Sequence, residues 1–198
     1  VILEPATSEV PFPFEDSNLS FKKPKLKNDQ INFLQSVQKL CKENNALLIA
    51  DEMISGFRWS LKGASDYFNI EPDLFTFGKA MANGFSVSAV AGRMEVMKMG
   101  SIDVPGTDRT FLLSTTHGAE MCGLGAFIET MKIYKERKIC KHLWQYGEKL
   151  KKGINSISKE LGICEHFNLA GPSICLNFIT KDQDLNNCLK YKTLFMQE

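Results

Sequence analysis

Ala46-Leu47-Leu48-Ile49-Ala50-Asp51-Glu52 is an unbroken apolar run that ends on two acids. Apolar on both faces, it reads as a central strand of a parallel sheet, with helices covering each side. Pro72-Asp73-Leu74-Phe75-Thr76-Phe77 is a second short strand, stopped by Gly78-Lys79. Val87 to Ala91 is a third, stopped by Gly92-Arg93, and Val1-Ile2-Leu3 before Glu4-Pro5 is a fourth. Between Val1-Ile2-Leu3 and the 46–52 run lies a helix capped by Asn28 or Asp29 and running to about Asn44. Its apolar residues Ile31, Phe33, Leu34, Val37, Leu40 and Cys41 recur at three- and four-residue steps. Strand, helix and strand in alternation predict an α/β fold built on an open, mostly parallel sheet. Ligands of such sheets bind outside the carboxyl ends of the strands. Those ends carry Glu4, Asp51-Glu52 and Lys79.

Residues 5 to 28 read as loop, because Pro5, Pro11, Pro13 and Pro24 forbid regular structure. A helix from about Ala119 to Glu136 carries small residues on one face. A longer one from about Ile139 to Leu161 has Leu143, Tyr146, Leu150, Ile154 and Ile157 as its stripe and Gly162 as its stop. Beyond it, 163–169, 175–179 and a helix from about Asp184 predict the start of a smaller α+β domain. The expected division is 1–137, part of a large domain, and 138–198, a linking helix and the beginning of a small one. The chain opens on a strand-like run without Met and closes on Leu194-Phe195-Met196 without a helix stop. The expectation is a fragment of a longer protein.

Composition excludes several classes. A net charge of +1 gives no general attraction to nucleic acid or to an acidic membrane face. A hydrophobic content of 43% is too high for a disordered chain. The six cysteines include no C-x-x-C pair and no zinc-finger interval, so they read as reduced thiols in a cytoplasmic protein. No apolar run reaches the roughly 18 residues of a membrane span, and no leader peptide is evident.

A carboxylate and an amine at one sheet edge suit pyridoxal-phosphate chemistry. A lysine can bond the cofactor aldehyde, while an acid keeps the pyridine nitrogen protonated. The same apolar strand ending in Asp51-Glu52 also suits magnesium binding in a nucleotide-hydrolysing ATPase, although no G-x-x-x-x-G-K-[ST] is present. Spacing alone does not choose between them.

A resemblance does. Leu47-Leu48-Ile49-Ala50-Asp51-Glu52-Met53-Ile54-Ser55-Gly56-Phe57-Arg58 resembles the "LIxDEVxTGFR" segment of class III pyridoxal-phosphate aminotransferases. Pro72 to Lys79 resembles their "PDLxTxGK", and Gly84, Ala89, Gly92 and Arg93 continue the same register. Val1-Ile2-Leu3-Glu4-Pro5 is similar to the family's "EP" strand. Within the class the chain looks most like the glutamate-1-semialdehyde 2,1-aminomutase group. The likeness is close over about residues 1 to 140.

The resemblance implies the large domain of a fold type I transferase. It also implies pyridoxal 5′-phosphate as cofactor, a small amine or aldehyde substrate, and a homodimer with the active site at the interface. Lys79 would be the Schiff-base lysine and proton shuttle, and Asp51 would bond the pyridine nitrogen. Met53 would press on a ring face, where a plain core methionine would look the same. Ser114 to Glu120 resembles the turn that reaches the phosphate of the neighbouring subunit, which selects Thr116; a helix cap is the plainer reading of that residue. Glu9 stands where some relatives place a glutamate near substrate, and equally reads as a solvated loop acid. Arg58 would pair a carboxylate near the site, while His142 and His166 read as surface residues.

The chain departs from the pattern at Ser86 for a frequent proline, Ser88 for a frequent glycine, and Glu120-Met121 for "Asn-Pro". The family's glycine-rich phosphate cradle and ring-stacking aromatic lie before the region covered by this sequence. A non-catalytic assembly module of the same fold therefore stands as an alternative.

Overall fold

The computed structural model describes residues 1–26, 30–101, 103–104, 118 and 120–198. A four-stranded sheet carries the first half. Its strands are β1 (Ile2–Leu3), β2 (Ile49–Asp51), β3 (Leu74–Phe77) and β4 (Ala89–Gly92), in that order across the sheet. β1 with β2 and β2 with β3 are parallel, while β3 with β4 is antiparallel. The register sets Asp51 beside Thr76, so β2 and β3 end together at one edge.

Asp73 ties three strands at the opposite edge. Its carboxylate accepts the Leu48 amide at 2.8 Å and the Arg93 guanidinium at 2.6 Å, while its own carbonyl accepts the Arg93 amide at 2.9 Å. Burial pulls the Asp73 pKa upward, but the Leu48 amide and Arg93 outweigh it and hold the carboxyl below its ordinary value.

β2 is shorter than the apolar run predicts, and its burial is one-sided. Leu48 and Ala50 are buried, whereas Leu47 is 43% exposed and Ile49 only half-buried.

The first helix, α1 (Phe33–Glu43), starts later than expected. Its cap is Asn32, not Asn28 or Asp29. The Asn32 side chain accepts the Gln35 amide at 3.0 Å, and the Gln35 side chain accepts the Asn32 amide at 3.0 Å. This reciprocal box outcompetes the upstream candidates. Of its predicted stripe, Leu34 and Cys41 are buried, but Ile31, Phe33 and Leu40 are exposed.

Two short helices, α2 (Gly63–Tyr67) and α3 (Met94–Met97), follow β2 and β4. α4 (Met121–Glu136) and α5 (Ile139–Glu160) then meet at Lys138, which is left-handed at φ +50°. α5 buries Cys140, Trp144, Gly147 and Ser158; of the predicted stripe Leu143 packs on the core and Ile154 is half-buried, while Tyr146, Leu150 and Ile157 are exposed. Counting large apolar residues misplaces this face, because small and amphipathic side chains form the seam. Gly162 ends the helix as expected. At φ +71° its amide reaches the Lys159 carbonyl, and the next amide reaches that of Ser158.

β5 (Phe167–Ala170) and β6 (Asn177–Thr180) form an antiparallel pair. α6 (Leu189–Gln197) rests on it through Phe195, against Phe167 and Phe178. α6 begins after the predicted Asp184. Asp182 accepts the amides of Asp184 and Asn186, which folds the intervening residues into a turn.

The core is aromatic. Trp59, Tyr67, Phe68 and Trp144 pack together with ring centroids 5.0–5.6 Å apart. Trp144 donates to the Trp59 carbonyl and Trp59 to the Ala6 carbonyl, both at 3.1 Å. α5 is thus anchored in the core of the first half.

Candidate active site

Asp51 and Glu52 are neighbours with opposite surroundings, because successive strand residues point to opposite faces. Asp51 is half-buried. Its Oδ1 accepts the Thr76 hydroxyl at 2.9 Å and the Met53 amide at 3.1 Å. No hydrogen bond among the described residues engages Oδ2.

Glu52 is fully buried and fully engaged. Oε2 accepts the Ser55 hydroxyl at 2.5 Å and the Ala64 amide at 2.9 Å, while Oε1 accepts the Ser65 amide at 2.7 Å. The carboxylate closes the first turn of α2, whose amides lack partners within the helix. This corrects the magnesium reading of Asp51-Glu52, since Glu52 has no oxygen left open to an ion. No metal-binding group of His, Cys, Asp and Glu occurs among the described residues.

Lys79 stands at the tip of β3, three residues beyond Thr76. It is exposed, and its side chain makes no hydrogen bond or ion pair among the described residues. Its backbone is left-handed at φ +43°. Strand spacing and chain reach set the Asp51 and Lys79 backbones at most about 15 Å apart. That span lies within the combined reach of an aspartate, a lysine and one six-membered ring. Met53 reaches the same edge: its Sδ and Cε lie over the buried Gly78, in space that a Cβ there would fill.

The remaining candidates are less gathered. Glu9 is exposed on the loop after β1, with no hydrogen bond or ion pair to Asp51, Met53 or Lys79. Thr116 lies outside the described residues. Arg58 sits beside the buried Cys175 thiol and makes no ion pair among the described residues. Burial pushes that thiol up, and Arg58 pulls it partly back. His142 is exposed, whereas His166 is half-buried and bonded through Nδ1 to the Asp182 carbonyl at 2.9 Å.

Two features escaped the sequence reading. Thr76 orients Asp51; its place two residues before Gly78, in register with the acid, was the available signal. Phe57 is left-handed at φ +59° and packs against Phe77, Phe127 and Tyr134. No sequence pattern announces a positive φ in a bulky aromatic residue.

Comparison with known proteins gives the family. Residues 27–192 match the family described as Aminotransferase class-III. The chain belongs to that family. Class III membership brings pyridoxal phosphate with it as cofactor.

The 3-aminobutyryl-CoA aminotransferase of Cloacimonas acidaminovorans is 36% identical over 135 residues, covering 68% of this chain and 31% of that protein. The glutamate-1-semialdehyde 2,1-aminomutase of Clostridium acetobutylicum is 35% identical over 131 residues, covering 66% and 30%. An omega-transaminase from Sphaerobacter thermophilus superposes with a TM-score of 0.60 at 26% identity, over 71% of this chain and 31% of the other. The FumI protein of Sphingopyxis sp. MTA144, solved in its PLP internal aldimine form, gives 0.69 at 24% over 93% and 39%. The chain spans about a third of the length of the curated relatives it matches.

The class III cofactor fits the described edge. Among the described residues one acid keeps an oxygen uncommitted, one lysine has no side-chain partner, and a methionine covers the Gly78 backbone beside that lysine.

Proposed function

We propose that the whole protein is a pyridoxal-phosphate-dependent aminotransferase or aminomutase of the glutamate-1-semialdehyde aminomutase type. It moves an amino group between two small molecules or between neighbouring carbons of one. The observation that carries this reading is the pairing of Asp51 and Lys79 at adjacent tips of β2 and β3. When bound, the cofactor supplies an electron sink for charge developing on the substrate carbon.

The chain's own residues do the rest. Asp51 holds a proton on the ring nitrogen through Oδ2, with Oδ1 fixed by Thr76 and the Met53 amide. Lys79 would hold the cofactor through its amine and would move a proton at Nζ. Met53 supports one ring face. Thr116 binds the phosphate across a homodimer interface, and Glu9 contacts substrate. Residues 1–137 form the second half of the cofactor-binding large domain, and 138–198 form the linking helix and the start of the small domain. The location is cytoplasmic; no helix among the described residues is long and apolar enough to cross a membrane.

The test is spectroscopic. Adding pyridoxal 5′-phosphate to the whole protein should produce a visible absorption band, borohydride should fix the cofactor covalently, and peptide mapping should place it on Lys79. A label on another lysine, or no band at all, refutes the assignment.

A further inference from the structure

The single turn that follows β3 is bracketed by two left-handed residues that are not glycine. Lys79 has φ +43° and Asn83 has φ +45°. For an L-residue this conformation is unfavourable and persists only where its surroundings hold it. Three backbone bonds close the turn: Met81 amide to Gly78 carbonyl at 2.9 Å, Ala82 amide to Lys79 carbonyl at 3.3 Å, and Asn83 amide to Lys79 carbonyl at 3.0 Å. The last fixes the carbonyl side of Lys79 directly from Asn83. Asparagine is among the few residues with a side chain that tolerate the left-handed region.

The turn packs against α4, which carries Tyr134. Burial pushes the Tyr134 phenol upward and Asn83 pulls it partly back. Tyr134 is buried at 8% exposure and sits edge-on to Phe57, whose ring packs 5.4 Å from that of Phe77, two residues before Lys79. At its other end α4 presses Gly123 onto Ser86, where an added Cβ would lie 3.0 Å from the Ser86 carbonyl. α4 is a splint along the segment after the lysine, packed against the turn at 79–81 and again against Ser86.

We propose that Asn83, left-handed at the close of the turn, is the positioning residue that sets the backbone of Lys79 and so the direction of its amine; this rests on Lys79 being the cofactor-bearing lysine. Asn83 touches neither cofactor nor substrate. It acts by keeping Lys79 in the one backbone state from which the side chain leaves toward the Asp51 edge.

The test uses the purified protein with Asn83→Ala, Asn83→Gly, Asn83→Asp, Tyr134→Phe and Lys79→Ala variants, titrated with pyridoxal 5′-phosphate. The readouts are affinity, the pH midpoint of the visible band, the fraction of label fixed on Lys79 by borohydride, and the melting temperature without cofactor. Asn83→Ala should weaken occupancy of Lys79 about tenfold, since it loses the tolerance for positive φ. Asn83→Gly should fall between it and wild type. Asn83→Asp should restore wild-type behaviour, because aspartate shares that tolerance. Tyr134→Phe should displace the pH midpoint with little change in melting.

Equal affinity and midpoint across all Asn83 and Tyr134 variants, with Lys79 still labelled, would overturn the positioning role and leave the proposed function standing. Spectral losses that merely track a falling melting temperature would overturn it too, as a role in folding alone. A band that survives Lys79→Ala would bring down both readings.

Discussion

Glu52→Gln should unfold this protein more readily without touching its chemistry. The carboxylate offers two oxygens to three buried donors: Ser55 at 2.5 Å, Ala64 at 2.9 Å and Ser65 at 2.7 Å. A carboxamide offers one oxygen. In either orientation its NH₂ faces a backbone amide of α2, donor against donor. One orphaned buried amide costs about 1–3 kcal/mol. The surviving bonds also lose the strength that a charged acceptor confers, about 1 kcal/mol more. The sum is about 2–4 kcal/mol, or about 4–16 °C in melting temperature for a chain of this length.

Trp59 and Trp144 report the transition, since both lie in the core beside α2. Urea unfolding followed by tryptophan fluorescence, with the slope unchanged, measures the loss. A change below about 0.5 kcal/mol, the range of ordinary surface substitutions, would refute the argument that Glu52 is the buried cap of α2. Asp51→Asn supplies the contrast. Thr76 and the Met53 amide can still donate to its oxygen, so the fold should hold while cofactor-dependent turnover falls.

Gly63→Ala should be worse than Gly84→Ala, although both positions have positive φ. At Gly63 the new carbon would lie 2.6–2.7 Å from the Glu52 carboxylate, whereas nothing lies within 4 Å at Gly84. Paired thermal melts should separate by at least about 1 kcal/mol, the clash beyond the shared backbone cost. Stability should fall in acid. Asp66, Asp73 and Glu148 all have lowered pKa values, so their contribution is full above the unfolded values of 3.8 and 4.5 and is lost as pH drops through the folded ones. Urea midpoints between pH 7 and pH 3 should show that decline, and Asp73→Asn should flatten it. Alkylation at neutral pH should label the exposed Cys122 and Cys164 and spare Cys140, whose thiol burial pushes up to about 11. Mass mapping that finds Cys140 modified in the native state would contradict its burial.

The strands, and the edge at which Asp51 and Lys79 stand, were legible because apolar runs ending in Asp51 and Gly78-Lys79 leave few alternatives. The paired roles of Asp51 and Glu52 were not, since both acids look alike in a string of letters. What separates them is the pleat, which turns Glu52 toward α2, an element of five residues with no apolar period to announce it. The α5 face was misread for a related reason. Its seam is made by Gly147, where a side chain would strike Ser173, and by Ser158, bonded to the Phe167 carbonyl. Neither residue registers as hydrophobic. The left-handed backbones of Phe57, Lys79 and Asn83 are set by packing across the sequence, so no local propensity could reveal them.

The tryptophan pair also has a timing consequence. Trp144 donates to a carbonyl 85 positions upstream and Trp59 to one 53 positions upstream. During synthesis, residues 1–100 therefore leave the ribosome with their aromatic centre uncapped, and cannot close it until α5 arrives. Nascent chains halted before residue 144 should stay open to proteases and chaperones that the finished polypeptide resists.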